Sequence, residues 1–295
     1  MSENGNHAPF GINIFVVEGR PDGMKIIQKT NWDGLGIVCP RGRYPFVKSR
    51  NEFELSGVYI LYGYDDHHDR LMIYVGETET IRNRLDSHFA NEKDKKFWQR
   101  VIIFTRHNTT PLHKTCTEFL EARLVQRAKE VGRCQIENNN TPKEPTLSEM
   151  DNATMTTYLS EMLSLLPIIG IHVFDPVMAE NSSKTYYFTG KEWDAQGYPT
   201  SNGFAVKKDS HVRKKPVKSF MSFSHNKRNA LLDGNILILK DKCLRFDRDY
   251  DFNSPSEAAS IVSGKNENGR MVWKDEEGTT LKEHQEIEAK KAPSS

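Results

Sequence analysis

Two short runs of β-branched and aromatic residues constrain the fold of this chain more than any other feature. They are residues 57–63 (GVYILYG) and 71–76 (LMIYVG), and the polar loop between them contains DDHHD at 65–69. Apolar runs of this length, bounded by glycines and polar residues, are typical of paired strands in a β-hairpin. The loop carries metal-binding residue types, but adjacent loop residues point in different directions, so we expect a solvated turn.

Helical periodicity follows the hairpin. Thr78 or Thr80 can cap a helix whose apolar residues recur at every fourth position: Ile81, Leu85 and Phe89. Residues 97–105, with VIIF at 101–104, indicate a buried third strand. Pro111 suits the first turn of a long amphipathic helix that continues to about Val131. The order of strands and helices predicts a compact α/β unit of the α+β kind, a small sheet with flanking helices.

The rest of the chain divides around this unit, which we place at residues 51–142. We expect a disordered N-terminus at 1–9, an N-terminal β extension at 10–50, and a helical connector and linker at 143–203. A second small α+β domain is predicted at 204–282, with a strand at 235–239 and a closing hairpin at 268–281. Its helix starts at Ser254, where Glu257 stands at the reciprocal capping position. The charged residues 283–295 are predicted to form a disordered tail.

Composition excludes several classes of protein. The N-terminus lacks a basic segment followed by an apolar run, and no apolar stretch approaches the roughly 20 residues of a membrane span. We therefore expect a cytoplasmic protein without membrane contact. The four cysteines are scattered and form no CxxC pair, so neither structural zinc nor disulfides are expected. The lone GLG at 34–36 lacks the context of a dinucleotide site, and no organic cofactor is predicted.

The net charge of +1 hides two basic segments. Residues 204–230 contain eight Lys or Arg against one acid, and residues 39–50 contain four without an acid. Such segments attract polyanions, although a solvated charged surface explains either one equally well. The candidate nucleic-acid-binding residues are Arg41, Arg43, Lys207, Lys208, Arg213, Lys214, Lys215 and Lys218.

Five polar side chains are placed to share a cleft of the first unit. Arg84 and His88 lie four residues apart on one helix, at the border between its apolar stripe and solvent. Glu121 occupies a similar border on the long helix, and Tyr59 and Tyr74 lie near the middle of the paired strands. Taken singly, each is more often structural or solvated than functional.

The combination resembles the GIY-YIG nuclease family. The matching features, in order, are Gly57-Val58-Tyr59, Tyr74-Val75-Gly76, Arg84, Glu121 and Asn138. Val replaces Ile in both triplets, and the loop between the triplets is longer than in compact members of the family. The resemblance covers residues 57–142. Residues 10–50 resemble the N-terminal extension of a bacterial subgroup, and residues 204–281 resemble a domain of unknown function found after the nuclease in that subgroup.

This resemblance implies a metal-dependent phosphodiesterase acting on DNA. Glu121 would hold one Mg²⁺ or Mn²⁺ ion, Arg84 would contact phosphate oxygens, and Tyr59 would be the general base for the attacking water. Tyr74 would hold the water or the phosphate, and His88 would assist as a second proton carrier or phosphate donor. The residues that support the site would be Gly57, Gly76 and Asn138.

Two alternatives remain open at this stage. The chain could be a nucleic-acid-binding protein that keeps the scaffold without cutting, or a ribonuclease-type toxin or defence effector. Because one active site cuts one strand at a time, double-strand cleavage would need a homodimer or sequential action.

Overall fold

A computed structural model of the chain describes residues 9–64, 71–90, 95–106, 110–175, 184–200, 203–240 and 243–291. The expected disorder of the N-terminus falls on residues 1–8, and the DDHHD loop on 65–69, and both lie outside the described residues. Helices and strands are mixed throughout, and the predicted α+β class is confirmed. The chain divides into two compact units, residues 1–175 and 176–295. Among the described residues, no helix is both long and apolar enough to span a membrane.

The first unit is built on one seven-stranded sheet with the strand order β1-β2-β3-β6-β4-β5-β7. Its strands are β1 Ile12–Val16, β2 Lys25–Lys29, β3 Gly34–Pro40, β4 Gly57–Tyr64, β5 Leu71–Thr78, β6 Trp98–Arg106 and β7 Gln135–Ile136. Its helices are α1 Tyr44–Val47, α2 Ile81–Ala90, α3 Lys114–Val131 and α4 Glu149–Leu165.

The N-terminal strands belong to the same sheet as the predicted hairpin. β6 pairs antiparallel with β3 on one side and with β4 on the other, so it is an interior strand. Its central residues 101–104 are therefore buried, as their uninterrupted apolar run indicates. The β extension expected at 10–50 thus shares its backbone hydrogen bonds with the unit that follows it.

Alternation along the strands divides the core of this unit into two layers. Val58, Ile60 and Val75 point towards α3 and α4, whereas Tyr59 and Leu61 point towards α1 and α2. Successive side chains of a strand face opposite sides of the sheet, so a single strand supplies both layers. This division decides which side of the sheet each candidate site residue reaches.

Helix α4, which the sequence suggests as part of a connector, is packed into the core of the first unit. Met155, Tyr158 and Met162 are buried in the layer that α3 also covers. The Tyr158 hydroxyl donates a hydrogen bond of 2.7 Å to the carbonyl oxygen of Thr105 in β6. The helix therefore covers the sheet rather than linking two units.

The second unit holds another seven-stranded sheet with the order β12-β13-β11-β9-β10-β14 and with β8 paired to β9. Its strands are β8 Tyr186–Thr189, β9 Asp194–Thr200, β10 Gly203–Val206, β11 His211–Val212, β12 Leu237–Lys240, β13 Cys243–Phe246 and β14 Tyr250–Phe252. Its helices are α5 Ser222–Asp233, α6 Pro255–Ser263, α7 Gly269–Val272 and α8 Leu281–Lys291.

The predicted cap of α6 is confirmed. The Ser254 hydroxyl accepts the Glu257 N–H at 3.1 Å, and the Glu257 carboxylate accepts the Asn253 N–H at 3.1 Å. Trp273 is fully buried beside this helix, and its indole N–H donates to the Pro255 carbonyl at 3.1 Å. A capped helix and one large aromatic side chain thus organise the core of the second unit.

Three local predictions in this unit need correction. The strand expected at 235–239 begins at Leu237, because Asn235 adopts a left-handed backbone with φ of 54°. The closing hairpin expected at 268–281 is present only in its second half, where Lys274 forms an antiparallel bridge with Thr280, because the short helix α7 occupies the first half. The residues from 283, expected to be disordered, continue helix α8 to residue 291, since Leu281 at its start is buried.

The packing of α4 predicts that a cavity in this helix weakens the first unit alone. Met162→Ala should lower the free energy of unfolding of that unit by about 2–5 kcal/mol, because a fully buried side chain is truncated. Hydrogen exchange of the native protein, read by mass spectrometry, should show reduced protection in β6 and unchanged protection in α6. Ser160→Ala, on the exposed side of α4, is the matched control. Unchanged protection of β6 in Met162→Ala would contradict this packing.

Candidate active site

Tyr59 and Gly76 face each other across the central hairpin. They are direct partners in the antiparallel register of β4 and β5, and the Tyr59 side chain is fully buried. A Cβ atom on Gly76 would stand 2.4 Å from the Tyr59 hydroxyl oxygen and 2.5 Å from its Cζ. Only glycine at this position lets the phenol lie across the neighbouring strand. Gly57 has a related role, since its Cβ would stand 2.5 Å from the carbonyl oxygen of Phe104.

Arg84 connects the two phenols of the hairpin. Its Nε–H donates to the Tyr59 hydroxyl at 2.9 Å, and its Nη2–H donates to the Tyr74 hydroxyl at 3.3 Å. Ile81 and Leu85 of the same helix are fully buried, which fixes α2 over this layer of the sheet. Arg84 itself is exposed. Its guanidinium therefore contacts the buried Tyr59 hydroxyl and is also accessible to solvent.

His88 lies deeper than the sequence indicates. Its exposed fraction is 3%, whereas Phe89, assigned to the apolar stripe, is 36% exposed. The helix turns its face at positions 81, 85 and 88 inwards, so the imidazole takes the last core position. His88 Nε2 lies 2.9 Å from the Tyr59 hydroxyl oxygen. Because Arg84 already donates to that oxygen, the geometry suits a Tyr59 O–H that donates to His88.

The environment of Tyr59 keeps the phenol protonated. Burial raises the pKa of Tyr59 above its ordinary range, and the neighbouring Tyr74 raises it further. The charge and hydrogen bond of Arg84 lower the pKa, but they do not outweigh burial. A general base at Tyr59 would need its cationic neighbour to favour the deprotonated phenol, and in this structure desolvation is the larger effect.

Glu121 is carried by helix α3, on the other side of the sheet from Tyr59. Helix α3 packs on the layer of Val58 and Val75, opposite the layer that contains Tyr59. Burial raises the pKa of Glu121 to about 7, the charge of Glu77 raises it as well, and the charge of Arg84 opposes both. The Glu121 carboxylate is therefore within electrostatic reach of the guanidinium on α2.

Glu77 connects strand β5 with helix α3, which carries Glu121. It follows Gly76 in β5, and the alternation of the strand turns it towards α3. The Thr117 hydroxyl donates to its carboxylate at 2.8 Å, and Thr117 precedes Glu121 by one helical turn. Two carboxylates thus lie at the end of β5 that carries the phenol-bearing triplet.

Asn138 secures the outer edge of β5. Its side-chain oxygen accepts the Val75 N–H at 3.1 Å, and its side-chain nitrogen donates to the Val75 carbonyl at 2.8 Å. These bonds continue the parallel pairing of β7, whose partners in β5 are Met72 and Ile73. The amide therefore holds the strand between Tyr74 and Gly76 from outside the sheet.

Sequence reasoning missed two charged residues of this region. Glu77 could have been found, because strand alternation next to the second triplet places it on the α3 side. The other is Lys95, whose Nζ lies 4.3 Å from the centre of the Tyr74 ring. Lys95 has a left-handed backbone with φ of 52° and precedes β6, so no periodic signal indicates its position.

Arg41 and Arg43, the candidate residues of the first basic segment, contact other residues of the first unit. Arg43 forms an ion pair with Glu18. Arg41 donates to the Lys96 carbonyl at 3.3 Å and stacks 4.9 Å from the centre of the Trp98 ring. Both guanidinium groups therefore contribute to the packing of the first unit.

The candidate residues of the second basic segment differ in their surroundings. Lys207 donates to the Thr185 hydroxyl at 2.8 Å, and Arg213 pairs with Glu192 at 2.6 Å. The remaining four are exposed: Lys208, Lys214, Lys215 and Lys218.

Comparison with known families gives a match over this part of the chain. A family model described as the GIY-YIG catalytic domain matches residues 55–130, which include Tyr59, Tyr74, Arg84, His88 and Glu121. The chain contains a GIY-YIG domain. The predicted resemblance is confirmed for residues 55–130, and a domain of this kind supports a nuclease-type family.

A second family model, described as a domain of unknown function (DUF4357), matches residues 186–285. A domain of unknown function C-terminal to the GIY-YIG domain is thereby confirmed as well. No curated protein and no solved structure matches the chain.

The contact between Tyr59 and Gly76 can be tested by mutational coupling. Gly76→Ala should destabilise the first unit by about 1–3 kcal/mol, because the added methyl group overlaps the phenol. In a Tyr59→Leu background the cost should be smaller, since the overlapping atoms are gone. Denaturant unfolding of the four proteins gives the coupling energy. Gly42→Ala, at an exposed glycine with no atom within 4 Å of its added methyl group, is the control. Strictly additive effects of the two changes would contradict the assigned contact.

Proposed function

We propose that this protein is a divalent-metal-dependent endonuclease that hydrolyses phosphodiester bonds in DNA. The observation that carries the proposal is the bridge from Arg84 to both phenols, with Glu121 in the electrostatic field of the same guanidinium. Phosphodiester hydrolysis needs fixed positive charge beside the scissile phosphate and a route for the proton of the attacking water. The arrangement of these residues supports both requirements.

The carboxylates suit one hydrated divalent cation. Among the described residues no group of three or more His, Cys, Asp or Glu is placed to hold a metal, so the candidate ligands are few. Glu121 is half-buried beside Glu77, and burial and the charge of Glu77 raise the pKa of Glu121 to about 7 against the opposing charge of Arg84, so a bound cation would relieve the repulsion between the two carboxylates. Mg²⁺ keeps several of its waters and needs only one or two protein carboxylates, and Mn²⁺ accepts similar ligands. Glu121 would hold the ion, which when bound polarises the phosphate and stabilises the leaving oxygen.

Arg84 is proposed to bind the non-bridging oxygens of the scissile phosphate. A guanidinium keeps its charge at all relevant pH values and offers five N–H donors, of which the phenols engage two. Its bonds to Tyr59 and Tyr74 hold the planar group in one orientation before substrate arrives. Preorganised donors of this kind stabilise developing charge without the cost of reorientation.

The proton of the attacking water is proposed to travel through the phenols to His88. Tyr74 is half-buried and can contact water, whereas Tyr59 is fully buried. The Tyr59 hydroxyl lies within hydrogen-bond distance of His88 Nε2, so it can accept a proton on one side and release its own on the other. An imidazole accepts a proton near neutral pH far more readily than a phenol does. This route gives Tyr59 a relay role and makes His88 the final acceptor.

Replacement of Glu121 tests the nuclease function. Glu121→Gln should reduce Mg²⁺-dependent nicking of supercoiled plasmid by roughly 100-fold or more, because the neutral amide is a poor ligand for the ion. Binding of Mn²⁺, followed by electron paramagnetic resonance, should weaken in the same variant. Glu130→Gln, on the exposed side of α3, is the matched control.

The outcomes separate the candidate functions. Equal nicking by wild type and Glu121→Gln would contradict the proposed site. Salt-sensitive DNA binding without cleavage in either protein would favour the non-catalytic alternative, and faster cleavage of RNA of the same sequence would favour the ribonuclease alternative.

Replacement of Tyr59 tests the proton route. Tyr59→Phe should slow cleavage by roughly 100-fold, because the hydroxyl between the reacting water and His88 is lost. Tyr62→Phe is the control, since it removes a phenol from the same strand but from the opposite layer of the sheet. Single-turnover rates at saturating protein separate the chemical step from binding. Equal rates for the two variants would show that the Tyr59 hydroxyl does not take part.

A further inference from the structure

The second unit presents a short basic loop that we define as residues 213–218 (RKKPVK). It follows β11 and contains four cations and no acid. Lys214, Lys215 and Lys218 are exposed, and no acidic side chain in the described part of the chain lies within ion-pair distance of them. Only Arg213 is paired, with Glu192 at 2.6 Å. The loop therefore concentrates uncompensated positive charge on the surface of this unit.

A buried arginine anchors the basic loop from below. Arg228 of α5 is 3% exposed, and its Nη2–H donates to the carbonyl oxygens of Arg213 and Lys214. Its Nη1–H donates to the Ile261 carbonyl at 2.6 Å, in the last turn of α6. Because the carbonyls of the loop point inwards to this guanidinium, the lysine side chains are left on the outer side.

The C-terminal end of α6 also forms backbone hydrogen bonds with the basic loop. The Arg213 N–H donates to the Val262 carbonyl at 2.9 Å, and the Val217 N–H donates to the Gly264 carbonyl at 2.9 Å. Gly264 has a left-handed backbone with φ of 66°, and a Cβ there would stand 2.9 Å from Pro216 Cα. The loop is thus fixed at both ends and in its middle, so its lysines are presented by an ordered backbone.

Arg228 adds its own charge beneath these lysines. Burial lowers the pKa of Arg228 to about 10, with a smaller contribution from Arg213, and the group stays protonated at neutral pH. The hydrogen bonds of this guanidinium go to backbone carbonyls, which satisfy its donors without cancelling its charge. Its position at the C-terminal end of α6 also suits the negative end of the helix dipole.

We propose that the basic loop binds the phosphate backbone of DNA independently of base sequence, and that it gives the C-terminal domain a substrate-holding role. The choice of DNA as the polyanion rests on the proposed nuclease function of the same chain. Several lysines on an ordered loop suit a polymer that presents a charge about every 1.7 Å along its axis. An ordered loop also loses less conformational entropy on binding than a flexible tail would.

The test compares two triple variants of the full chain. Lys214→Ala/Lys215→Ala/Lys218→Ala removes the exposed charge of the basic loop. Lys240→Ala/Lys274→Ala/Lys282→Ala removes the same charge from exposed positions elsewhere in the unit. Fluorescence anisotropy with a labelled DNA duplex of mixed sequence, in EDTA so that no cleavage occurs, gives the affinity as a function of salt. We expect the loop variant to bind roughly 10-fold or more weakly at 0.1 M salt, with a salt slope reduced by about 2 to 3.

Each outcome decides the proposal. An unchanged affinity of the loop variant, an equal loss in the control variant, or tighter binding of an RNA duplex than of DNA would overturn it. A charge-reversal variant, Lys214→Glu/Lys215→Glu/Lys218→Glu, should weaken binding further, and its thermal unfolding shows whether the fold is kept. Because binding is measured without metal, loss of cleavage in an otherwise DNA-binding protein would count against the nuclease and leave the basic loop supported.

Discussion

The packing of the Tyr59 phenol over Gly76 is the contact on which the rest of the candidate site depends. It sets the position of one hydroxyl oxygen, and that oxygen is the common partner of Arg84 and His88. Without the glycine, the phenol could not lie across β5, and the two hydrogen bonds would lose the hydroxyl group that they share. A backbone requirement of one strand therefore fixes the relative positions of three side chains from two elements.

The two layers of the sheet give this site its electrostatic character. The phenols, the guanidinium and the imidazole share the layer of α2, whereas Glu77 and Glu121 come from the layer of α3. Arg84 and Glu121 are thus held by different helices, and strand β5, which carries Glu77, lies between them. In the described part of the chain no ion pair joins Arg84 to Glu121, and the two groups interact through their charges.

Much of the first unit follows from local pattern. Strand alternation around Tyr59 and Tyr74, and the amphipathic period that ends at Gly132, predicted the strands and helices that carry the site, because these signals reflect burial of nearby residues. The depth of His88 could not be predicted, since the period allowed either His88 or Phe89 as the last inward position. The contacts of Arg43 with Glu18 and of α4 with β6 could not be predicted either, because they join residues far apart in sequence. In the second unit the cap at Ser254 could be predicted from the local sequence. The anchoring of the basic loop by Arg228 could not be predicted, because it is a contact between residues far apart in sequence.

The interior position of β6 has a consequence for any shortened form of this protein. The family match at 55–130 omits β1, β2, β3 and α4, yet β3 supplies the hydrogen-bond partners for one whole side of β6. A fragment cut to those limits would present an unsheltered strand edge rich in valine, isoleucine and phenylalanine. Such edges recruit other chains and lead to aggregation. The smallest soluble piece that retains the candidate site is therefore set by the pairing of β6 with β3, and it extends well upstream of the recognised motif.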